Sequence, residues 1–195
     1  KAGVNYLGFI FYPPSKRYAL HALTLAQIKS IQLPGVLKVG VFVNEPMDEV
    51  IATATAAGLD MVQLHGDETP NYCKEMANHY PVIKAFRISK RDDVAYKISE
   101  YLEDIDYLLF DTASSVYGGS GISFDWIKLA NATRQKPYFL SGGIGPDDIS
   151  KITSFVQSEA AGNCIAVDVN SKFETTPGQK NIPLLQSFIP TIKAL

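Results

Sequence analysis

Cysteine and histidine are scarce: the chain has two Cys and three His in 195 residues. Cys73 and Cys164 lie far apart with no C-x-x-C spacing, so neither a disulfide framework nor a structural zinc site is indicated, and a reducing cytoplasm is the expected setting. No run of about 18 apolar residues occurs, so no segment reads as membrane-spanning. Positive charge is not in excess. The 18 Lys and Arg against 20 Asp and Glu leave a net charge of −2, which gives no electrostatic reason to expect a nucleic-acid surface. No signal peptide is visible. Low-complexity segments are missing, as is any Pro/Gly/Ser linker long enough to divide the chain, so residues 1–195 read as one domain.

Against these absences, 46% of the residues are apolar, and they are arranged in alternation. Short β-rich runs at 6–11, 37–43, 61–64, 82–86, 107–110, 138–140 and 165–169 predict strands. Amphipathic stretches at 24–31, 47–57, 70–78, 91–101, 124–133, 146–157 and 182–193 predict helices. Pro70 after Thr69 and Pro146 after Gly145 mark helix starts, and Gly58 marks a helix stop. Strands joined by helical crossovers form a parallel sheet. An open doubly wound sheet concentrates its polar chemistry at one switch point, whereas a (β/α)8 TIM barrel collects it from the C-terminal ends of many strands. Polar or glycine-rich segments follow nearly every strand: Ser15-Lys16-Arg17, Asn44, His65-Gly66-Asp67-Glu68, Arg87, Asp111-Thr112, Ser141-Gly142-Gly143 and Asn170-Ser171. The barrel is therefore the expected fold, with seven of its eight strands in this chain.

Several of these rim residues suggest chemistry. Gly142 and Gly143, together with Asn170 and Ser171, suit a phosphate cradle, because glycine lets backbone N–H groups approach an anion. Asp111 ends an apolar strand, and burial favours the protonated form of a carboxyl, which fits general-acid work. The glycine-rich Tyr117-Gly118-Gly119-Ser120-Gly121 that follows could cover a site. Arg17, at the end of a proline-stiffened loop, could fork onto a carboxylate. His65 is a candidate for lining the site. Cys73, within an amphipathic helix, reads as packing, and Cys164 precedes its strand, at the end away from the chemistry.

These residues resemble a known family. Gly8-Phe9-Ile10-Phe11-Tyr12-Pro13-Pro14-Ser15-Lys16-Arg17-Tyr18, Lys38-Val39-Gly40-Val41-Phe42-Val43-Asn44, Val62-Gln63-Leu64-His65-Gly66-Asp67-Glu68 and Ile83-Lys84-Ala85-Phe86-Arg87 are similar to blocks of the phosphoribosylanthranilate isomerases. So are Asp111 with Gly118–Gly121 and Phe124-Asp125-Trp126, Ser141-Gly142-Gly143-Ile144, and Asp168 to Ser171 with Glu174 and Pro177-Gly178. The resemblance runs in order along the whole chain. It implies a (β/α)8 barrel of tryptophan biosynthesis that needs no cofactor and acts on a small phosphosugar, with no nucleic-acid or membrane partner, as a monomer or homodimer. The implied reaction is an Amadori rearrangement of N-(5′-phosphoribosyl)anthranilate. By the same resemblance Asp111 is the acid, Arg17 holds the anthranilate carboxylate, Asp168 faces the sugar hydroxyls, and Gly142, Gly143, Asn170 and Ser171 hold the phosphate. Other phosphosugar barrels fit less well. A pentose-phosphate epimerase would want metal-binding histidines, and an indole-glycerol-phosphate synthase would want more strand-end lysines than Lys84. A non-catalytic phosphosugar-binding barrel is the reading from a different class.

The start of the chain departs from the family. Ala2-Gly3-Val4-Asn5-Tyr6-Leu7-Gly8-Phe9 echoes Ala57-Gly58-Leu59-Asp60-Met61-Val62-Gln63-Leu64, yet only Lys1 and Ala2 stand where the second copy has a helix. The family's Lys-Ile-Cys-Gly segment, which carries its cysteine base on the first strand, has no counterpart. The expectation is a chain without its first strand and most of its first helix, turning over substrate at least about a hundredfold more slowly. Two smaller departures are Asp148, where the family usually has Asn, and Asn181, where it usually has Asp. Asp148 in the first turn of a helix complements the helix dipole and would compete with a bound phosphate.

Overall fold

The computed structural model describes residues 3–112, 125–130 and 135–195. Within them the chain runs β1 (Tyr6–Ile10), α1 (Leu25–Ser30), β2 (Leu37–Phe42), α2 (Met47–Ala57), β3 (Met61–Leu64), α3 (Pro70–Ala77), β4 (Val82–Ile88), α4 (Val94–Ile98), β5 (Tyr107–Thr112), β6 (Tyr138–Leu140), α5 (Ile149–Val156), β7 (Cys164–Val167), β8 (Glu174–Thr176), β9 (Gln179–Lys180) and α6 (Ile182–Lys193), with short 3-10 turns between. Strands β1 to β7 form one parallel sheet in sequential order, as helical crossovers require. Among the described residues, β1 pairs in the sheet with β2 alone and β7 with β6 alone.

Side-chain parity makes this sheet a curled wall. Alternate residues point inward, and Val39, Met61, Ile83, Ala85, Leu109 and Phe139 meet there with Tyr6, Tyr107 and Ala166. The Tyr6 ring on β1 lies edge-on to Phe139 on β6 at 4.9 Å, a contact that a flat sheet of this order could not make. Outward residues such as Phe42, Val62, Leu64 and Leu108 share the larger core with Ile28, Val50, Ala54 and Met76 of the helices. The middle strands, β3 to β6, are buried on both faces, which is why they read as unbroken apolar runs.

The helix ends follow local chemistry. Thr69 Oγ1 accepts the Tyr72 N–H at 3.2 Å with Pro70 at the first helical position. Gly58 closes α2 in the left-handed conformation at φ 60°. Asn181 caps α6, accepting the Leu184 N–H at 3.2 Å. The structure departs from expectation in four places. The helix expected over 91–101 is only Val94–Ile98. Asp92 Oδ2 accepts the Ser89 N–H at 2.9 Å and Asp93 Oδ1 accepts the Tyr96 N–H at 3.1 Å, so side-chain bonds hold the preceding residues in a turn. The segment starting at Pro146 opens with a 3-10 turn, Pro146–Asp148, and α5 begins only at Ile149. The hairpin of β8 and β9, turning at Gly178 (φ 86°), was not expected. Of the helix expected over 124–133, the described part is a 3-10 turn, Trp126–Leu129. Residues 113–124, which include the glycine-rich segment, and 131–134 lie outside the described residues.

Candidate active site

The C-terminal ends of the strands open onto a cleft of about 1160 Å³. Arg17 reaches it from the loop after β1, His65 from the end of β3 and Asp111 from β5. Gly142 and Gly143 reach it from the turn after β6, and Asp168, Asn170 and Ser171 from the segment after β7. The cleft continues down the inner wall between β1 and β7, where its lining is apolar.

Asp111 lies at its centre. Oδ1 accepts the N–H of Thr112 at 2.8 Å, and Oδ2 lies 3.3 Å from His65 Nε2. On the other side of the imidazole, Gln63 Nε2 lies 2.7 Å from Nδ1. The imidazole thus stands between the Gln63 amide and the Asp111 carboxyl. Gln63 shares the inward parity of His65 on β3, so two alternate residues of one strand aim one carboxyl.

Gly142 presses against the same carboxyl. A Cβ on it would fall 2.4 Å from Thr112 Oγ1, 2.6 Å from Thr112 N and 3.1 Å from Asp111 Oδ1, and its φ is 96°. Both the conformation and the close approach require glycine. Gly143 follows at φ 69°. The N–H groups of Gly142, Gly143, Asn170 and Ser171 donate to no other described residue, so four amides at one end of the cleft are left to an acceptor from solution. Asp148 does not face them with a bare carboxylate, since its Oδ2 accepts the Gly145 N–H at 2.7 Å.

Asp168 accepts the Ser141 hydroxyl at 2.9 Å. Burial pushes its carboxyl up from the ordinary aspartate range. The Asp111 charge acts in the same direction, while the Ser141 bond, Lys180 and His65 oppose it. Arg17, expected to wait for an anion, already holds one: its Nε donates to Glu174 Oε2 at 2.7 Å. The two thiols lie elsewhere. Cys73 is buried in α3, and burial pushes its thiol up to about 12. Cys164 begins β7, at the opposite end of that strand from Asp168, and burial pushes its thiol up to about 11. Among the described residues, no group of three or more His, Cys, Asp or Glu side chains is arranged to hold a metal ion.

Sequence reasoning assigned no role to Gln63, Ser141, Glu174 or Lys180. Gln63 had a visible signal, a polar side chain at an inward position of an apolar strand. Glu174 stood in a block similar to the family, but nothing in the sequence paired it with Arg17, 157 residues away.

The chain is similar to proteins of a known family. Residues 1–191 match the family described as N-(5′-phosphoribosyl)anthranilate (PRA) isomerase. The N-(5′-phosphoribosyl)anthranilate isomerase of Parabacteroides distasonis is 40% identical over 190 residues, covering 97% of this chain and 84% of that protein. Among solved structures, phosphoribosyl anthranilate isomerase from Thermotoga maritima superposes with a TM-score of 0.83 at 34% identity, covering 100% of this chain and 90% of that one. An isomerase solved in complex with reduced 1-(o-carboxyphenylamino)-1-deoxyribulose 5-phosphate superposes at 0.80 and 32% identity, with the same coverage.

Proposed function

The chain belongs to the N-(5′-phosphoribosyl)anthranilate isomerase family, and on that premise we propose how its cleft carries out the family's Amadori rearrangement in tryptophan biosynthesis. The substrate is an aminoaldose with an aryl carboxylate at one end and a phosphate at the other. Asp111 gives its proton to the furanose ring oxygen. The C1–O bond breaks, the anthranilate nitrogen lone pair forms the C1=N bond, and the ring opens to a Schiff base. Loss of the C2 proton to a base gives an enolamine, which tautomerises to 1-(2-carboxyphenylamino)-1-deoxyribulose 5-phosphate. Atoms and electrons balance within the substrate, so no redox partner takes part. Among the described residues, no side chain is assigned the base.

Arg17 binds the aryl carboxylate, Asp168 the sugar hydroxyls, and Gly142, Gly143, Asn170 and Ser171 the phosphate. His65 lines the site beside the acid. The observation that carries this reading is the setting of Asp111, a carboxyl 3.3 Å from the His65 imidazole and packed against the glycine turn at Gly142. Such closeness lets one ligand present its phosphate to the amides and its ring oxygen to the acid. The test is Asp111→Ala, assayed for conversion of N-(5′-phosphoribosyl)anthranilate and separately for inorganic phosphate affinity. Lost turnover with retained phosphate affinity supports the reading. Unchanged turnover overturns it, and absence of turnover in the wild-type chain as well favours a phosphosugar-binding module. The reading extends to a monomer or homodimer in the cytoplasm, supported by a Thermotoga maritima relative described as dimeric and by two free thiols.

A further inference from the structure

Glu174 is a nearly buried carboxylate: its side chain is 4% exposed, against 20% for its partner Arg17. Taking a carboxylate out of water is unfavourable unless both oxygens are engaged. Here they are, by groups from the loop after β1 and from the β8–β9 hairpin. Oε2 accepts Arg17 Nε at 2.7 Å, while Oε1 accepts Lys180 Nζ at 3.1 Å and the Gly178 N–H at 3.2 Å. Lys180 Nζ also donates to Asn170 Oδ1 at 2.6 Å. One carboxylate thus joins the loop after β1, which carries Arg17, to the segment after β7, which carries Asn170.

The way Glu174 holds Arg17 is informative. A guanidinium has five N–H donors in a planar fork, and fixing Nε fixes the plane. The terminal Nη groups donate to no described residue, so the edge suited to a bidentate carboxylate stays open.

We propose that Glu174 is a positioning residue: it orients Arg17 toward the aryl carboxylate of the ligand and, through Lys180, sets the spacing between the carboxylate-binding and phosphate-binding ends of the cleft. This rests on the assignment of Arg17 made above. A purely structural anchor would affect all ligands alike, whereas a positioning residue affects only those with the carboxylate.

The experiment is calorimetric binding of reduced 1-(o-carboxyphenylamino)-1-deoxyribulose 5-phosphate and of its anilino counterpart lacking the carboxyl group. The proteins are the wild-type chain, Arg17→Ala, Glu174→Gln and the double variant. The wild type prefers the carboxylate ligand, and Arg17→Ala abolishes the preference. Glu174→Gln reduces it roughly tenfold, in the range of one charge-assisted hydrogen bond, and leaves the anilino ligand within about twofold. The double variant matches Arg17→Ala. Should Glu174→Gln fail to fold, Glu174→Asp, charged but one methylene short, takes its place with the same expected loss. The inference is overturned if the Glu174 variants keep the full preference while Arg17→Ala loses it, if they weaken both ligands equally, or if the two losses add. A preference that survives Arg17→Ala, or is absent in the wild type, overturns the Arg17 assignment itself and the inference with it.

Discussion

At the two ends of the parallel strands, acids and lysines make different kinds of contact. At the N-terminal end their close partners are backbone groups, Lys74 and Asp104 meeting only at 4.0 Å. Asp60, before β3, accepts the Lys38 N–H at 2.7 Å, and Asp106, before β5, accepts the Val82 N–H at 2.8 Å. Lys38 Nζ sits 3.4–3.5 Å from the carbonyls of Ile28, Lys29 and Ala57, where α1 and α2 end, and Lys136 Nζ donates to Ile105 O at 2.8 Å. At the C-terminal end Asp111, Asp168 and Glu174 meet His65, Ser141, Arg17 and Lys180. A backbone partner stays where the fold puts it and serves stability. A side-chain partner can turn toward a substrate, which is what chemistry requires. Aspartate alone carries no functional information; the strand end on which it lies does.

The largest expected effect separates the ends by function. Asp111→Asn keeps the shape but removes the transferable proton, and turnover should fall by roughly 10²–10⁴-fold, the range of a general acid. Its thermal midpoint should stay within a few degrees of the wild type. A matching fall in midpoint would place Asp111 with the structural acids and dissolve the distinction. Next comes a rim pair that ought to behave like the other end. Lys84 and Glu68 are 3% and 2% exposed and 2.8 Å apart, and Glu68 also accepts the N–H groups of Asn44 and Gly66. Lys84→Met leaves that carboxylate buried without its cation and should cost about 3–5 kcal/mol in urea unfolding. A cost under about 1 kcal/mol would show that the pair tolerates solvent.

Much of this division was legible in the sequence. β3, β6, α2 and α6 fall where their apolar runs and bounding residues put them, because two buried faces leave unbroken strands and amphipathic helices carry their own period. The polar residues after each strand marked the rim. What was not legible depends on partners distant in sequence or on very short elements. β8 and β9 have three and two residues, too few for a period to show. Asp92 and Asp93 look like residues of an amphipathic helix until their side chains close a turn, and Glu174 makes sense only beside Arg17.

A smaller effect tests the backbone-facing end. Asp106→Ala frees the Val82 amide at the start of β4 and should cost about 1–2 kcal/mol, the usual range for an unmade buried hydrogen bond. Because its partner is backbone and lies away from the cleft, kcat/KM should not change. A variant that folds normally but turns over slowly would mean that the strand starts are coupled to the rim.

The smallest effect divides the rim acids by pH. Burial raises the Glu174 carboxyl, but the hydrogen bonds and charges of Arg17 and Lys180 outweigh it and hold the group below its ordinary 4.5. A depressed carboxyl contributes stability that is present above 4.5 and is lost as pH falls through the lower folded value. Asp168 has the opposite sign. Burial and the Asp111 charge raise it above 3.8, so the folded chain holds its proton longer than the unfolded chain, and stability falls as pH rises from 3.8 toward the folded value. Thermal midpoints from pH 3 to 7 should therefore diverge in two directions. The wild type's advantage over Glu174→Gln should shrink on acidification, whereas its deficit against Asp168→Asn should grow as pH rises through the window above 3.8. Parallel curves for both variants would mean that the two carboxyls share one environment, and the rim would then lack the separation of a raised carboxyl, Asp168, from a depressed one, Glu174.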